Sequence, residues 1–158
     1  MDEMEYQLLI VEQMAKNEVK LSELYAKYGH AFASRKEFWE ELAREEISHG
    51  AWIGTLKKKV EEGSVAFNRE RFNLSLLSEF HDYVQSQEDK IKTGIALIDA
   101  LKASRKIEET LLEKNFFEVF AGDAPDLEVL LLALEYSTKN HREIVNKACE
   151  EEEKMIAA

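Results

Sequence analysis

One cysteine and one proline in 158 residues leave little to cross-link this chain or to interrupt it. The lone Cys149 excludes a disulfide framework and any four-cysteine iron or zinc centre built by one chain. With six glycines and an abundance of Ala, Leu, Glu and Lys, the composition favours helix over sheet. Positive charge is also short: 21 basic against 32 acidic residues give a net charge of -11. No basic face is on offer to phosphates, so nucleic acid is excluded as a partner. An acidic surface suits metal cations instead. An apolar run of the roughly 18 residues a bilayer span needs is missing, as is a basic-then-apolar leader. The expectation is a cytoplasmic protein with no membrane partner, folded as a single domain over residues 1–158.

What is present is helical periodicity. A first helix is expected from Glu3 to Tyr28, with Leu8, Val11, Met14, Glu18, Leu21, Tyr25 and Tyr28 on one stripe and Gly29 as its stop. Ser34 and Glu37 have the spacing of a capping box for a second helix, inward through Phe38, Leu42, Glu46, His49, Ile53, Leu56 and Val60 and ending at Gly63. Residues 64–73 lack a period and read as a crossover. Asn73 then caps a short helix from Leu74 to Gln87. A third long helix is expected from Glu88, inward through Ile91, Ile95, Ile98, Leu101, Ser104 or Arg105, Glu108, Leu112, Phe116 and Val119. Gly122 to Asp126 is the clearest break, with Pro125 opening a last helix inward through Leu127, Leu131, Leu134, Thr138, His141, Val145 and Ala148. Glu150 to Glu153 read as a solvated, fraying end. Four long helices with a long connection between the second and third have the connectivity of a ferritin-like bundle.

Polar residues interrupt these stripes at one level. Glu46 and His49 are three apart and share the apolar face of their helix. Such a pair is either a buried couple or two metal ligands. Glu18 interrupts the first stripe, where a glutamate near a helix end is the plain alternative. Glu108 lies between Leu101 and Leu112, where a carboxylate should not be buried unpaired. His141 alone reads as a satisfied core histidine or as a ligand. In antiparallel helices Glu18 comes level with Glu46, and Glu108 with His141, to within a turn or two. Three carboxylates so close would repel unless cations neutralise them. Carboxylates with imidazoles suit borderline divalent ions, and facing glutamates can bridge a pair of them.

These residues resemble the metal motif of the ferritin-like superfamily, and within it the rubrerythrin-like proteins that lack the rubredoxin-like domain. Glu18 with Tyr25 resembles the first-helix element, Glu46 to His49 the second, Glu108 the third and Thr138 to His141 the fourth. The resemblance implies two iron ions, with Zn or Mn as alternatives, and oxidoreductase chemistry on peroxide or dioxygen. It also implies an external electron donor, because the cysteine-bound iron domain is missing. Two positions depart from the pattern. Thr138 stands where the family has a fourth glutamate, so one ion is expected to be weakly held. Arg105 stands where rubrerythrins carry a further third-helix glutamate. The other classes open to the chain are a catalytically inactive binding or structural bundle and an iron-storage protein.

The remaining polar and aromatic residues read plainly. Tyr25 either hydrogen-bonds a ligand carboxylate or fills the core. His30 is surface, His81 beside Asp82 a polar surface pair, and Cys149 a packing residue. Trp39 and Trp52 are core or dimer-contact residues. Phe67, Phe72, Leu74 and Phe80 are more apolar than a crossover needs, so a homodimer is expected.

Overall fold

The computed structural model describes residues 2–64, 66–67, 74–113, 120–121 and 125–158; of residues 66–67, 113, 120–121 and 125–127 it describes the backbone only. The described chain is all-helical apart from one short ladder. Helices α1 (Glu3–Ala31) and α2 (Lys36–Glu61) pair closely, joined by a 3-10 turn at Ala33–Arg35. Helix α3 (Leu74–Thr93) lies against α1, and α4 (Leu97–Glu113) packs on α5 (Pro125–Ala157). The two connections meet in a two-residue antiparallel ladder, with β1 (Ala66–Phe67) opposite β2 (Phe120–Ala121). That ladder was not expected from the sequence. The expected inward residues Phe116, Val119 and the side chain of Leu127 lie outside the described residues, as does the cap Asn73.

The expected apolar stripes of α1, α2 and α5 form the core. Leu21, Tyr25, Tyr28, Leu42, Ile53, Leu56, Leu134 and Val145 are fully buried together with Trp39. The rings of Tyr25 and Tyr28 lie 5.8 and 4.9 Å from Trp39. At an aromatic's share of roughly 150–250 Å² each, this trio dominates one end of the core. Cys149 is buried. His30 is exposed, His81 is half-buried with Asp82 at 3.8 Å, and Trp52 is more than a third exposed.

Several boundaries differ from those expected. Gly29 does not stop α1. It lies inside the helix, where a Cβ would meet the Trp39 Cβ at 3.1 Å, so its smallness serves a close helix approach. Ser34 does not cap α2 either. It sits in the 3-10 turn, and Arg35 precedes the helix without any side-chain cap. The connection is taken up by the 3-10 turn, so the residue before α2 is Arg35, which has no capping oxygen. The capping box belongs to α1, where Asp2 Oδ1 accepts from the Glu5 amide at 2.8 Å and Glu5 accepts from the Asp2 amide at 3.2 Å.

The larger correction concerns the middle of the chain. In place of a short helix to Gln87 and a long one from Glu88, α3 runs unbroken through both to Thr93. The break falls at Gly94, whose φ of 90° is open to glycine at little cost. Glu88 shows why α3 continues. It is buried, and its Oε2 receives Lys20 and Lys27 of α1 at 3.1 and 3.0 Å. Downstream, α4 turns Leu101, Ser104, Ile107, Glu108 and Leu111 inward, whereas Ile91, Ile95, Ile98 and Leu112 are only half-buried. The C-terminal glutamates do not fray: α5 stays helical to Ala157, and Glu151 accepts from Arg35 at 3.0 Å.

Replacing Gly29 with leucine is expected to lower unfolding free energy by about 1–3 kcal/mol through overpacking against Trp39. Gly54 is helical, exposed and meets nothing within 4 Å, so Gly54→Ala is expected to raise it by about 1 kcal/mol. Urea denaturation followed by circular dichroism reads both. Shifts of the same sign would contradict the contact at Gly29.

Candidate metal centre

Five side chains expected to share one level do so. Glu18 of α1, Glu46 and His49 of α2, Glu108 of α4 and His141 of α5 are each at least 96% buried. Helix α1 approaches α2 here because Gly50, next to His49, offers no side chain. A Cβ there would meet Val19 Cγ2 at 3.3 Å and Glu18 Cβ at 3.6 Å.

Glu46 occupies the middle. Its Oε1 lies 2.8 Å from His141 Nδ1, and its Oε2 lies 3.1 Å from His49 Nδ1. A further carboxylate approaches the same nitrogen of each imidazole, Glu108 Oε1 at 3.5 Å from His141 Nδ1 and Glu18 Oε2 at 3.9 Å from His49 Nδ1. The two rings stack with centroids 5.3 Å apart. The Tyr25 hydroxyl donates to Glu108 Oε1 at 2.6 Å while its ring is buried in the core, so Tyr25 does both things its two readings offered as alternatives, a carboxylate partner and core packing. Thr138 is buried on the same face of α5 as His141, but its hydroxyl donates to the Leu134 carbonyl of its own helix at 2.8 Å.

Two residues of this site were not foreseen. The Nε2 of His141 is hydrogen-bonded to Glu45 Oε2, and the Nε2 of His49 lies 2.7 Å from Ser137 Oγ. Glu45 precedes His49 by four residues and Ser137 precedes His141 by four, so each lies one helical turn before a histidine. Each then supports the histidine of the other helix. That spacing was in the sequence, but the crossing of the pairs depends on how α2 meets α5.

Burial and mutual charge set the protonation of this cluster. Burial first, then the charge of Glu46, pushes Glu18 well above the ordinary 4.5. The same two causes raise Glu108 against the opposing pull of His141 and Tyr25. Burial would raise Glu46 too, but hydrogen bonds from Glu18, His141 and His49 outweigh it and hold it well below 4.5. Burial would lower His141, yet Glu108 and Glu46 bring it up to about 11. Burial, then Glu108 and Glu46, pushes Tyr25 well up. Burial and mutual charge thus favour the protonated forms of Glu18, Glu108 and His141 and the ionised form of Glu46.

Glu46, His49 and His141 each offer a donor atom, all within 4.8 Å of one another, and could hold a metal ion. Two carboxylate oxygens at the same level, Glu18 Oε2 and Glu108 Oε2, are buried and have no hydrogen-bond partner. Leaving a buried acceptor unsatisfied costs roughly 1–3 kcal/mol. A cation at each would remove that cost.

Protonation makes a prediction for the metal-free protein. Glu18, Glu108 and His141 all bind protons more tightly folded than unfolded, so folding stability falls as pH rises. The loss begins above 4.5 for the two acids. For His141 it begins above 6.5, the ordinary value, and is complete past about 11. Glu46 works the other way, its contribution disappearing only below 4.5. Urea denaturation of metal-free protein should thus give lower midpoints at alkaline than at mildly acidic pH. His141→Gln should flatten the alkaline part of the slope.

The chain matches no protein-family model, no curated protein and no solved structure, so what the centre can do follows from its own residues.

Proposed function

We propose that this chain is a ferritin-like four-helix-bundle protein whose buried layer holds two metal ions, and that it acts as an oxidoreductase on peroxide or dioxygen. In this reading α1, α2, α4 and α5 form the bundle and α3 is the crossover helix. The observation that carries it is the placement of Glu46, one oxygen toward each imidazole Nδ1, with a carboxylate oxygen of Glu18 and of Glu108 left unpartnered beside it. This divides the donors into two halves sharing one bridge: Glu18 and His49 on one side, Glu108 and His141 on the other. Mixed oxygen and nitrogen donors accept iron, zinc or manganese. Iron is the choice that fits the chemistry proposed.

Two bound irons would supply the electrons for reducing peroxide, and a separate donor would restore them, since the single buried Cys149 cannot hold an iron–sulfur centre. The protein's own part is to hold the donors and exclude bulk water. Tyr25 holds Glu108 Oε1 and leaves Oε2 buried without a partner. Thr138, with its hydroxyl tied to Leu134, would supply no ligand, so an ion held by Glu46, Glu108 and His141 would leave room for water or substrate.

A second reading has its own support. Glu46, His49 and His141 already hydrogen-bond one another without a cation. A proton-filled layer of this kind would serve an inactive binding or structural bundle.

Metal analysis of protein purified from unsupplemented medium separates the two. Glu46→Ala and His49→Ala should each reduce bound metal several-fold with helical circular dichroism retained. Wild-type protein with no metal, and none taken up from ferrous ion under anaerobic conditions, would leave the proton-filled bundle.

A homodimer belongs to the same proposal, but its support has moved. Phe80 is in the core, Leu74 is half-buried, and Phe72 and the Phe67 side chain lie outside the described residues. Apart from the exposed Met155 and Ile156 at the end of α5, Val129, Leu132 and Tyr136 toward its start are exposed at 67, 58 and 78%. Their spacing makes one stripe. Sedimentation at tens of micromolar should give twice the mass of an 18.3 kDa chain. Tyr136→Glu should shift it toward monomer, and a shell-sized particle would point to storage instead.

A further inference from the structure

Resting on the metal reading above, we propose that Glu45 is the positioning residue for His141 and makes the half containing His141 the first to fill with a divalent cation. Glu45 lies at the rim of the layer, with its side chain 38% exposed, while the ring it touches is fully buried. His141 presents Nδ1 to Glu46 and Glu108 and Nε2 to Glu45. His49 presents Nδ1 to Glu46 and Glu18 and Nε2 to Ser137. The halves are thus built alike, with one chemical difference. An ionised carboxylate only accepts a hydrogen bond, whereas a serine hydroxyl donates or accepts.

That difference decides which ring is ready for a cation. Glu45 requires a hydrogen on Nε2 of His141, so the proton that leaves on metal binding is the one on Nδ1, and the freed lone pair points at Glu46 and Glu108. His49 receives no such instruction. With Nδ1–H donating to Glu46, its Nε2 accepts from Ser137, and a cation at Nδ1 requires the ring to move its hydrogen to Nε2 and Ser137 to turn from donor to acceptor. A carboxylate behind an imidazole also makes its other nitrogen a stronger donor to a cation. Both effects favour His141, and they oppose the absence of a ligand at Thr138. The protein therefore has a preorganised half and a half that must rearrange.

Titration of metal-free protein with Co²⁺, followed by its visible absorption and by equilibrium dialysis, tests this. Wild type should show two phases of unequal affinity. Glu45→Ala should weaken the tighter phase roughly 10- to 100-fold and leave the looser one nearly unchanged. Glu45→Gln keeps an acceptor without the charge and should fall between the two. Ser137→Ala should affect the looser phase alone. On Zn²⁺-loaded protein, imidazole ¹⁵N spectra should show His141 with its hydrogen on Nε2 in wild type, and a loss or shift of that signal in Glu45→Ala. Circular dichroism confirms the fold of each variant. A tight phase unmoved by Glu45→Ala, or both phases weakened alike, overturns the role of Glu45 while the metal centre stands. No Co²⁺ uptake by wild type overturns the metal reading and this inference with it.

Discussion

Three carboxylates and two imidazoles share one buried level, and the rest of the structure accommodates the charge they bring. A lone ionised carboxylate in such a place would be unfavourable by several kcal/mol, so each must be neutralised, hydrogen-bonded or given a cation. Glu46 meets this with both oxygens used, one for each imidazole. Glu18 and Glu108 meet it only in part, each keeping a buried oxygen without a partner. The helices approach closely at Gly50, where Glu18 comes beside Glu46. The aromatic packing of Tyr25 and Tyr28 on Trp39 brings the Tyr25 hydroxyl to Glu108. Packing and electrostatics are thus joined at Tyr25, which is at once a core residue and a hydrogen-bond donor to the cluster.

A second buried charge obeys the same rule by other means. Glu88 has its charge met by Lys20 and Lys27, whose stems cross from α1 and whose ammonium groups meet its Oε2, while its Oε1 is buried without a partner. There the neutralising cations are covalent parts of the chain. In the central layer the described residues include no lysine or arginine close enough to pair with Glu18, Glu46 or Glu108. Among the described residues histidine is the only basic side chain in that layer. This contrast separates an ion pair that ties two helices together from a cluster whose charge can be met by protons or by metal. Because protons and cations compete for the same nitrogens and oxygens, occupancy of the layer is linked to pH whichever fills it.

Outside the cluster and the Glu88 pairs, the ion pairs on exposed faces contribute little. The pairs Lys57–Glu12 and Lys139–Glu135 are substantially exposed, and pairs of that kind contribute roughly 0–1 kcal/mol each. Stability rests on the apolar stripes and on how closely α1 and α2 approach.

How far these features could be read from the residues depends on whether local spacing decides them. Period and composition were enough for an all-helical chain, for the inward faces of α1, α2 and α5, and for Glu18, Glu46, His49, Glu108 and His141 as buried residues of one level, because an α-helix places residues three or four apart on one face whatever surrounds it. Helix ends were less legible. Gly29 looks like a stop and is a contact; Gln87 and Glu88 look like a boundary and lie within α3, because packing by Trp39 and ion pairing from α1 override local signals. Only the tertiary structure decided that Glu45 reaches His141 and Ser137 reaches His49, or that Thr138 turns to its own helix. Glu45 and Ser137 lie about 100° around their helices from Glu46 and Thr138, and so read as flanks of the inward faces. Whether a flank faces solvent or a neighbour's histidine depends on how closely α2 and α5 approach and on their relative rotation. Those are properties of two helices together, and neither helix encodes them alone.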